Sequence, residues 1–264
     1  MLIDDAPRID ALPSDAASPL LTISIVSHLQ RAMVGELLAD LGRLRPLGVG
    51  KLILTLNLPE ELPEGIDSLP FEVLVLRNDR ARGFGANHNR AFKHCTTPWF
   101  AIFNPDLHLI SDFLVASLRA LDPADALLAP RILEGGGAPA DATRRLFTPW
   151  QFVRRLLGSR DPAQAGEVDW IAGICLLVRS SAFAAVGGFD ERFYLYLEDA
   201  DLSLRMQLAG WRIRQIEDAA VIHAAQRASH RSLRHLRWHV SSLLKHWMSG
   251  AYWRYYFARR RLNR

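Results

Sequence analysis

Leu21-Thr-Ile-Ser-Ile-Val26 and Leu52-Ile-Leu-Thr-Leu56 are short apolar runs rich in β-branched residues, and between them Met33, Leu37, Leu38 and Leu41 recur at helical spacing. The first run ends at Ser27-His28, and the helical stretch ends around Gly42 to Pro46. Strand, helix and strand within so short a span form a βαβ unit, which predicts a parallel sheet covered on both faces. The pattern continues with a strand over Phe71–Leu76, a helix over Phe84–His94 and a strand over Trp99–Phe103. A helix capped by Ser111 and running to Leu121 is expected next. Beyond a loop at Gly135–Gly137, Asp169–Val178 reads as a core strand, and Ser181–Val186 as a short helix broken by Gly187-Gly188. Residues 199–209 fit both periods; Gly210 after good helix formers favours a helix, with a strand over Trp211–Ile216 beyond it. Ligands of open α/β sheets bind beyond the carboxyl ends of the strands. Ser27-His28, Asn57, Arg77-Asn78 and Asn104-Pro-Asp106 are therefore the positions where chemistry is expected.

The chain has 264 residues, 49% hydrophobic and 23% charged, a composition that excludes disorder. Two cysteines, Cys95 and Cys175, exclude a disulfide framework and a four-cysteine zinc site. Residues 1–19 read as a flexible leader with four aspartates, without the basic start and apolar run of a signal peptide. No apolar run reaches the roughly 18–20 residues of a spanning helix. The expected address is the cytoplasm. The net charge of +4 conceals an asymmetry: ten Lys or Arg and no Asp or Glu lie between His223 and Arg264, against 22 basic and 28 acidic residues before them. Only Lys51, Lys93 and Lys245 are lysines, and arginine is the better bidentate partner for phosphate.

Each candidate site has a functional and a plain structural reading. Asp106 follows a buried strand, where a carboxylate is suited to a divalent cation and equally to capping the turn. Gly83-Phe-Gly85 opens a helix, so its glycines and amides suit a phosphate or a tight turn. Asn87 and Asn89 are poor helix-interior residues whose amides are available to read a base or ribose, and Arg77 offers a charge-assisted donor for phosphate or a surface ion pair. Glu198, Asp199 and Asp201 crowd three carboxylates at a helix start, after the aromatic run Phe193-Tyr-Leu-Tyr196. Repulsion and a low local dielectric raise a carboxyl pKa toward general-base work, whereas the helix dipole makes the same acids ordinary caps. Asp201 is spaced to pair with Arg205. His223 becomes a metal ligand only if Asp106 lies beside it. Arg144-Arg145 and Arg154-Arg155 read as a solvated surface.

Taken together and in order, these segments resemble an inverting family-2 glycosyltransferase of the GT-A fold, in the bacterial rhamnosyltransferase-like branch. The resemblance is carried by Ile23-Ser-Ile-Val-Ser27, Asn78 with Gly83-Phe-Gly-Ala-Asn-His-Asn89, Phe103-Asn-Pro-Asp106 and Trp170-Ile-Ala-Gly173. It continues through Gly187-Gly-Phe-Asp-Glu-Arg-Phe193, Tyr196-Leu-Glu-Asp-Ala-Asp-Leu-Ser-Leu-Arg205, Gly210-Trp211 and Val221-Ile-His223. It implies a Rossmann-like, mostly parallel central sheet flanked by helices over residues 20–230. It also implies that Asp106 and His223 hold Mg²⁺ or Mn²⁺ on the donor diphosphate, and that Asp199, next to Glu198, is the catalytic base. Ser27, Asn57, Arg77, Asn78, Gly83, Gly85, Asn87, Asn89 and Asn104 would line the nucleotide pocket. The implied donor is a dTDP- or UDP-sugar, L-rhamnose among them, and the acceptor is a hydroxyl of a glycan or lipid-linked sugar in surface polysaccharide synthesis. Two departures stand out. Asn104 occupies the place of the first acid of the family's Asp-x-Asp, and Thr55-Leu-Asn-Leu-Pro59 replaces the Asp-Asn-Ser-type stretch that touches the base.

Two other readings compete. A nucleotidyltransferase shares the sheet and metal carboxylates, but its Gly-rich, Lys-containing loop is missing at Ser27–Arg31. A non-catalytic module binding nucleotide-sugar or nucleic acid through the basic tail would not need Glu198 and Asp199. A dehydrogenase is disfavoured because no Gly-x-Gly-x-x-Gly follows the first strand. Residues 231–264 form a basic extension in which Leu233, Leu236, Val240, Leu243, Leu244 and Trp247 repeat at helical spacing, followed by Tyr252, Trp253, Tyr255, Tyr256, Phe257 and Arg259-Arg-Arg261. Such a segment suits peripheral contact with anionic membrane on its inner face, and suits packing against the domain as well. Nucleic acid is the weakest of the three partners.

Overall fold

The structure is a computed structural model, and it describes residues 19–45, 48–111, 113–114, 117, 121–140, 142–156, 168–224 and 233–262. The leader and most of the helix expected after Ser111 lie outside the described residues. The first half follows the βαβ expectation. Strands β1 (Leu21–Ser27), β2 (Val49–Leu56), β3 (Glu72–Arg77) and β4 (Trp99–Phe103) form a parallel run in the order β3-β2-β1-β4, crossed over by α1 (Arg31–Leu44) and α2 (Phe84–Phe92). Val34, Leu37, Leu38 and Leu41 bury one face of α1 on this sheet, as the helical spacing requires.

The second half corrects the expectation of a mostly parallel sheet. Short β5 (Leu107–His108) and long β6 (Asp125–Glu134) precede a hairpin at Gly137 into β7 (Pro139–Ala140). Then come β8 (Thr143–Arg144), α3 (Pro149–Leu156), β9 (Trp170–Ile171), β10 (Cys175–Arg179) and α4 (Ser180–Ala185). β10 runs antiparallel to both β4 and β6, while β11 (Arg212–His223) is parallel to β6 and antiparallel to β5. Parallel and antiparallel pairings are thus balanced among the described residues. The cause is local: β10 starts opposite the end of β4, with Cys175 facing Phe103, so it runs back alongside β4.

Two predicted strands were read with the wrong continuity. The apolar run Asp169–Val178 breaks at Ala172-Gly173-Ile174, where the Ala172 amide donates to Ala142 O and the Gly173 amide leaves the ladder altogether. Conversely, the strand expected to end at Ile216 runs on to His223 as β11, interrupted by a bulge that turns Glu217-Asp218 to solvent. Helix α5 (Glu198–Leu208) packs Leu202 and Met206 under the sheet beside Phe183.

The basic extension forms α6 (Leu233–Met248) and α7 (Gly250–Leu262), both seated on the domain. Leu243 is buried against Phe193, Leu197 and Ala200, and Tyr252 and Tyr255 are buried against Leu204 of α5. The Tyr255 hydroxyl donates to Asp169 Oδ1 at 2.9 Å, and Arg259 pairs with the same carboxylate. The residues taken from the sequence as one apolar stripe therefore divide between two faces. Leu243 and Trp247 turn inward, and Leu233, Leu236, Val240 and Leu244 remain exposed.

Candidate active site

The topology brings the predicted positions to one edge. β4, β6 and β11 point the same way as β1, β2 and β3, and β10 points oppositely. The carboxyl ends that carry Ser27, Asn57, Asn78, Asn104–Asp106 and His223 therefore share an edge with the start of β10. Asp106 and His223 meet there, because β11 pairs with β5 so that His223 faces Leu107 and the Ala224 amide donates to Asp106 O. His223 Nε2 lies 3.2 Å from Asp106 Oδ2. Asp106 Oδ1 is buried and has no hydrogen-bond partner among the described residues. A turn-capping aspartate would spend that oxygen on a backbone amide. An uncompensated carboxylate oxygen beside an imidazole nitrogen is a fitting pair of ligands for a divalent cation. Among the described residues no group of three or more His, Cys, Asp or Glu could hold a metal. Two protein ligands suffice when phosphate oxygens and water complete the shell, as is usual for Mg²⁺.

Asp199 reaches the same edge from α5. Tyr196 and Leu197 are consecutive non-glycine residues in the left-handed region, with φ of 74° and 66°. Each costs about 1–3 kcal/mol, a strain of the sort that collects at functional sites. The kink ends the aromatic run and starts the helix, which puts Glu198 and Asp199 in its first turn. Asp199 Oδ2 accepts the Gly173 amide and Oδ1 accepts the Ala200 amide, both at 2.8 Å. The next peptide along, Ile174, accepts the Asn104 amide at 3.0 Å. The break between β9 and β10 thus touches both the base candidate and the strand end that leads to Asp106. Gly173 appeared in the sequence only as part of a motif. Its broken ladder was invisible there because the flanking residues read as continuous apolar strand.

The three crowded acids separate into different roles. Asp201 pairs with Arg205 across one helical turn at 2.7 Å, as its spacing predicts. Glu198 is buried, makes no side-chain cap, and leaves Oε2 without a partner among the described residues. Burial and then the Asp199 charge push the Glu198 carboxyl well above its ordinary range. Burial also raises Asp199, while the amides of Gly173 and Ala200, and then the charge of Arg144, pull it back in part. Arg144, read from sequence as solvated surface, lies over the Trp170 ring, 5.2 Å from its centroid.

The asparagines bind one another. Asn57 holds loop 79–82 like a clamp: its Nδ2 donates to Arg82 O at 3.0 Å and its Oδ1 accepts the Arg82 amide at 2.8 Å. Asn78 Nδ2 donates both to Asn57 Oδ1 and to Asn87 Oδ1, and Asn87 Nδ2 returns to Gly83 O. Asn89 reaches away, accepting the Phe189 amide and donating to Phe189 O, so it fastens the Gly-Gly-Phe-Asp-Glu loop to α2. The amides of Asn87 and Asn89 are thus committed to the protein. Ser27 Oγ accepts the Gln30 amide, and Arg77 is an exposed side chain that reaches Glu60 O. His28, a predicted strand-end position, joins the network 3.2 Å from Asn57 through its Nδ1, and Arg90, which donates to Asn78 Oδ1, joins it without a sequence signal.

Gly83 and Gly85 make their close approach to protein. A Cβ on Gly83 would lie 2.6 Å from Tyr194 O, and one on Gly85 would lie 2.6 Å from Phe189 Cβ. The first α2 amide, of Phe84, donates to that same Tyr194 carbonyl. Gly83→Ala is expected to destabilise the fold by about 1–3 kcal/mol, because rigid backbone must give way. It also displaces the loop that leads to Asp199. Thermal unfolding measures the first effect, and an unchanged midpoint would remove the packing account.

Three comparisons bear on this arrangement. The sequence model of the family described as glycosyltransferase like family 2 matches residues 63–241. Rhamnosyltransferase WbbL of Escherichia coli is 39% identical over 184 residues, covering 62% of this chain and 69% of that protein. The N-acetylglucosaminyl-diphospho-decaprenol L-rhamnosyltransferase of Mycobacterium tuberculosis is 33% identical over 144 residues, 47% of this chain and 46% of that one, so this chain spans about half the length of that relative. Among solved structures, mannosyltransferase PcManGT from Pyrobaculum calidifontis, in complex with GDP-Man and Mn²⁺, superimposes with a TM-score of 0.59 at 14% identity, over 91% of this chain and 68% of that one. Such low identity carries the likeness in fold alone, and that fold is GT-A. The family match takes in the loops that bear Asn78, Asp106, Gly173, Asp199 and His223, and by that match the chain belongs to glycosyltransferase family 2.

Proposed function

We propose that this chain is an inverting, divalent-cation-dependent glycosyltransferase. It moves a sugar, L-rhamnose foremost, from a dTDP- or UDP-linked donor to a hydroxyl of a glycan or lipid-linked acceptor in cell-surface polysaccharide synthesis. The observation that carries the reading is Asp199, raised by burial yet held by two amides, at the same sheet edge as the Asp106–His223 pair. Asp199 takes the proton of the acceptor hydroxyl as that oxygen attacks the anomeric carbon from the side opposite the diphosphate. The new C–O bond forms as the bond to the diphosphate breaks, and the configuration inverts. A carboxylate raised above its usual range is a stronger base, and each of its oxygens keeps a lone pair beyond its amide bond. Asp106 and His223 would hold Mg²⁺ or Mn²⁺, which supplies charge neutralisation to the leaving diphosphate. Asn57, Asn78 and Asn87 fix loop 79–83 and Gly83 at the donor side, while Ser27, Arg77 and Asn104 stand at neighbouring strand ends.

The two rhamnosyltransferase relatives favour rhamnose as the sugar, and the mycobacterial one is named for a lipid-linked acceptor. No helix among the described residues is long and apolar enough to cross a membrane. The exposed apolar residues on the outer face of α6 and on α7, with the basic charge around them, support contact with such an acceptor at anionic lipid on the cytoplasmic side.

A panel of nucleotide-sugars tested for Mn²⁺-dependent thermal stabilisation checks the donor. A ligand present at 100 times its Kd stabilises by about 2.7 kcal/mol. A dTDP- or UDP-sugar should stabilise only with the cation present. Stabilisation by none of the panel would remove the transferase reading.

A further inference from the structure

Exposed large apolar side chains are concentrated on the C-terminal side of the molecule. Of the eleven among the described residues, nine belong to α3, α6 and α7, and only Leu29 and Ile110 lie elsewhere. Leu233, Leu236, Val240, Leu244 and Met248 form a continuous outer stripe along α6, at intervals of three and four residues. The stripe ends at α7, where the Trp253 indole N–H donates to Trp247 O at 2.7 Å. Trp253 then stacks along Phe257, with ring centroids 6.0 Å apart.

Beside that junction lies a depression of about 740 Å³ between α3, α7 and the loop after β8. Arg145, Arg154, Arg259 and Arg260 line it, and Asp169 is the one acid among its described lining residues. Asp169 is buried and engaged by Arg259, Tyr255 and the Leu146 amide, so it balances Arg259 within an arginine-rich basin. Arg260 stands over the Tyr256 ring at 5.2 Å. Trp150, 68% exposed, and Trp253 sit on the rim. A basin of guanidinium groups edged by exposed indoles matches a ligand with a phosphate head and an apolar tail. Guanidinium groups bind phosphate bidentately, and tryptophan prefers the headgroup depth of a bilayer. A nucleic acid would use the charge and leave the adjoining aliphatic stripe without a partner.

We propose that this depression is a binding site for the phosphate headgroup of an anionic membrane lipid, with Trp150, Trp253 and Phe257 entering the interface around it. The proposal rests on the membrane contact assigned above and adds a specific headgroup site that includes α3, outside residues 231–264. It orients the domain as well as attaching it, because a site on α3 and a stripe on α6 fix two separate points on the bilayer.

The test uses the full chain, since Leu243, Tyr252 and Tyr255 are core residues and removing α6 and α7 would disrupt the fold. Flotation is measured with phosphatidylcholine vesicles with and without phosphatidylglycerol. The wild type should bind the phosphatidylglycerol vesicles. Arg154→Gln combined with Arg260→Gln should weaken that binding by about 10- to 30-fold, since each basic residue near an anionic leaflet contributes about fivefold. The melting temperature and donor-induced stabilisation should stay unchanged. Brominated phosphatidylglycerol should quench the wild-type tryptophan fluorescence, and Trp150→Phe with Trp253→Phe should lose most of that quenching. Undiminished binding by the arginine variant, or undiminished quenching in the tryptophan variant, overturns the headgroup site while leaving membrane contact intact. No vesicle binding by the wild type overturns both. Tighter binding of single-stranded RNA than of the vesicles, or equal protection by inorganic phosphate, also overturns the lipid assignment.

Discussion

Asp199→Asn is expected to lower kcat by about 100- to 10,000-fold, the range a positioned general base contributes. Donor-induced thermal stabilisation should survive, because neither carboxylate oxygen belongs to the Asp106–His223 pair. The variant also carries a structural penalty. Both oxygens of Asp199 accept backbone amides, from Gly173 and Ala200. An asparagine turns its own N–H toward one of them, leaving that donor unpaired at about 1–3 kcal/mol. The pH profile separates the two effects. Burial raises the Asp199 carboxyl more than the amides of Gly173 and Ala200 lower it, so the acid limb of kcat/KM should lie above the usual carboxylate range. That limb should vanish from the residual activity of the variant. An acid limb that persists, or full activity, assigns the proton transfer to another group. Glu198 gives a matching signature in stability. Its folded-state pKa is raised, so the folded chain holds a proton more tightly than the unfolded one. Stability then falls as pH rises from the ordinary carboxylate range through the raised value. Glu198→Gln should flatten that part of the curve in chemical denaturation. An unchanged slope would show that Glu198 titrates normally.

Asp106→Asn is expected to abolish cation-dependent stabilisation by the donor and to reduce kcat/KM at least about 100-fold, the effect of losing charge neutralisation on the leaving group. The cation-free protein should behave oppositely. Asp106 Oδ1 is a buried carboxylate oxygen with no partner among the described residues, so a neutral amide relieves a desolvation penalty. Its melting temperature without cation should therefore stay level or rise. A purely turn-capping aspartate predicts the reverse, a less stable protein whose cation response is intact. His223→Ala should move the cation response in the same direction with a smaller effect, because the carboxylate carries the charge. Titration of Mn²⁺ against the donor complex, followed by thermal unfolding, distinguishes the outcomes.

Much of the fold is legible in local patterning. The βαβ run from Leu21 to Phe103 is written in alternating strand and helix periods, each a consequence of one buried face, and its strand ends already point to Ser27, Asn57, Asn78 and Asp106. The second half resists such reading. β10 is apolar because both of its faces are covered, and a fully buried strand has no alternation to reveal its direction or its break at Gly173. The same limit applies to α6, whose helical period is clear while the choice of inward residue depends on Phe193 and Leu197, some fifty positions earlier.

Local chemistry along the chain determined which groups exist: the acids at a helix start, the aspartate after a buried strand, the basic aromatic tail and the motif order that matches a family. Tertiary structure alone decided what those groups face. Asn87 and Asn89, read as reporters of a base, are held by protein partners, and the glycines at 83 and 85 admit Tyr194 and Phe189. Asp106 gains its meaning from His223, 117 positions away in the numbering, because an antiparallel pairing of β5 with β11 puts the imidazole against the carboxylate. Residue type and period are properties of neighbours in sequence. Whether a polar atom is satisfied depends on neighbours in space.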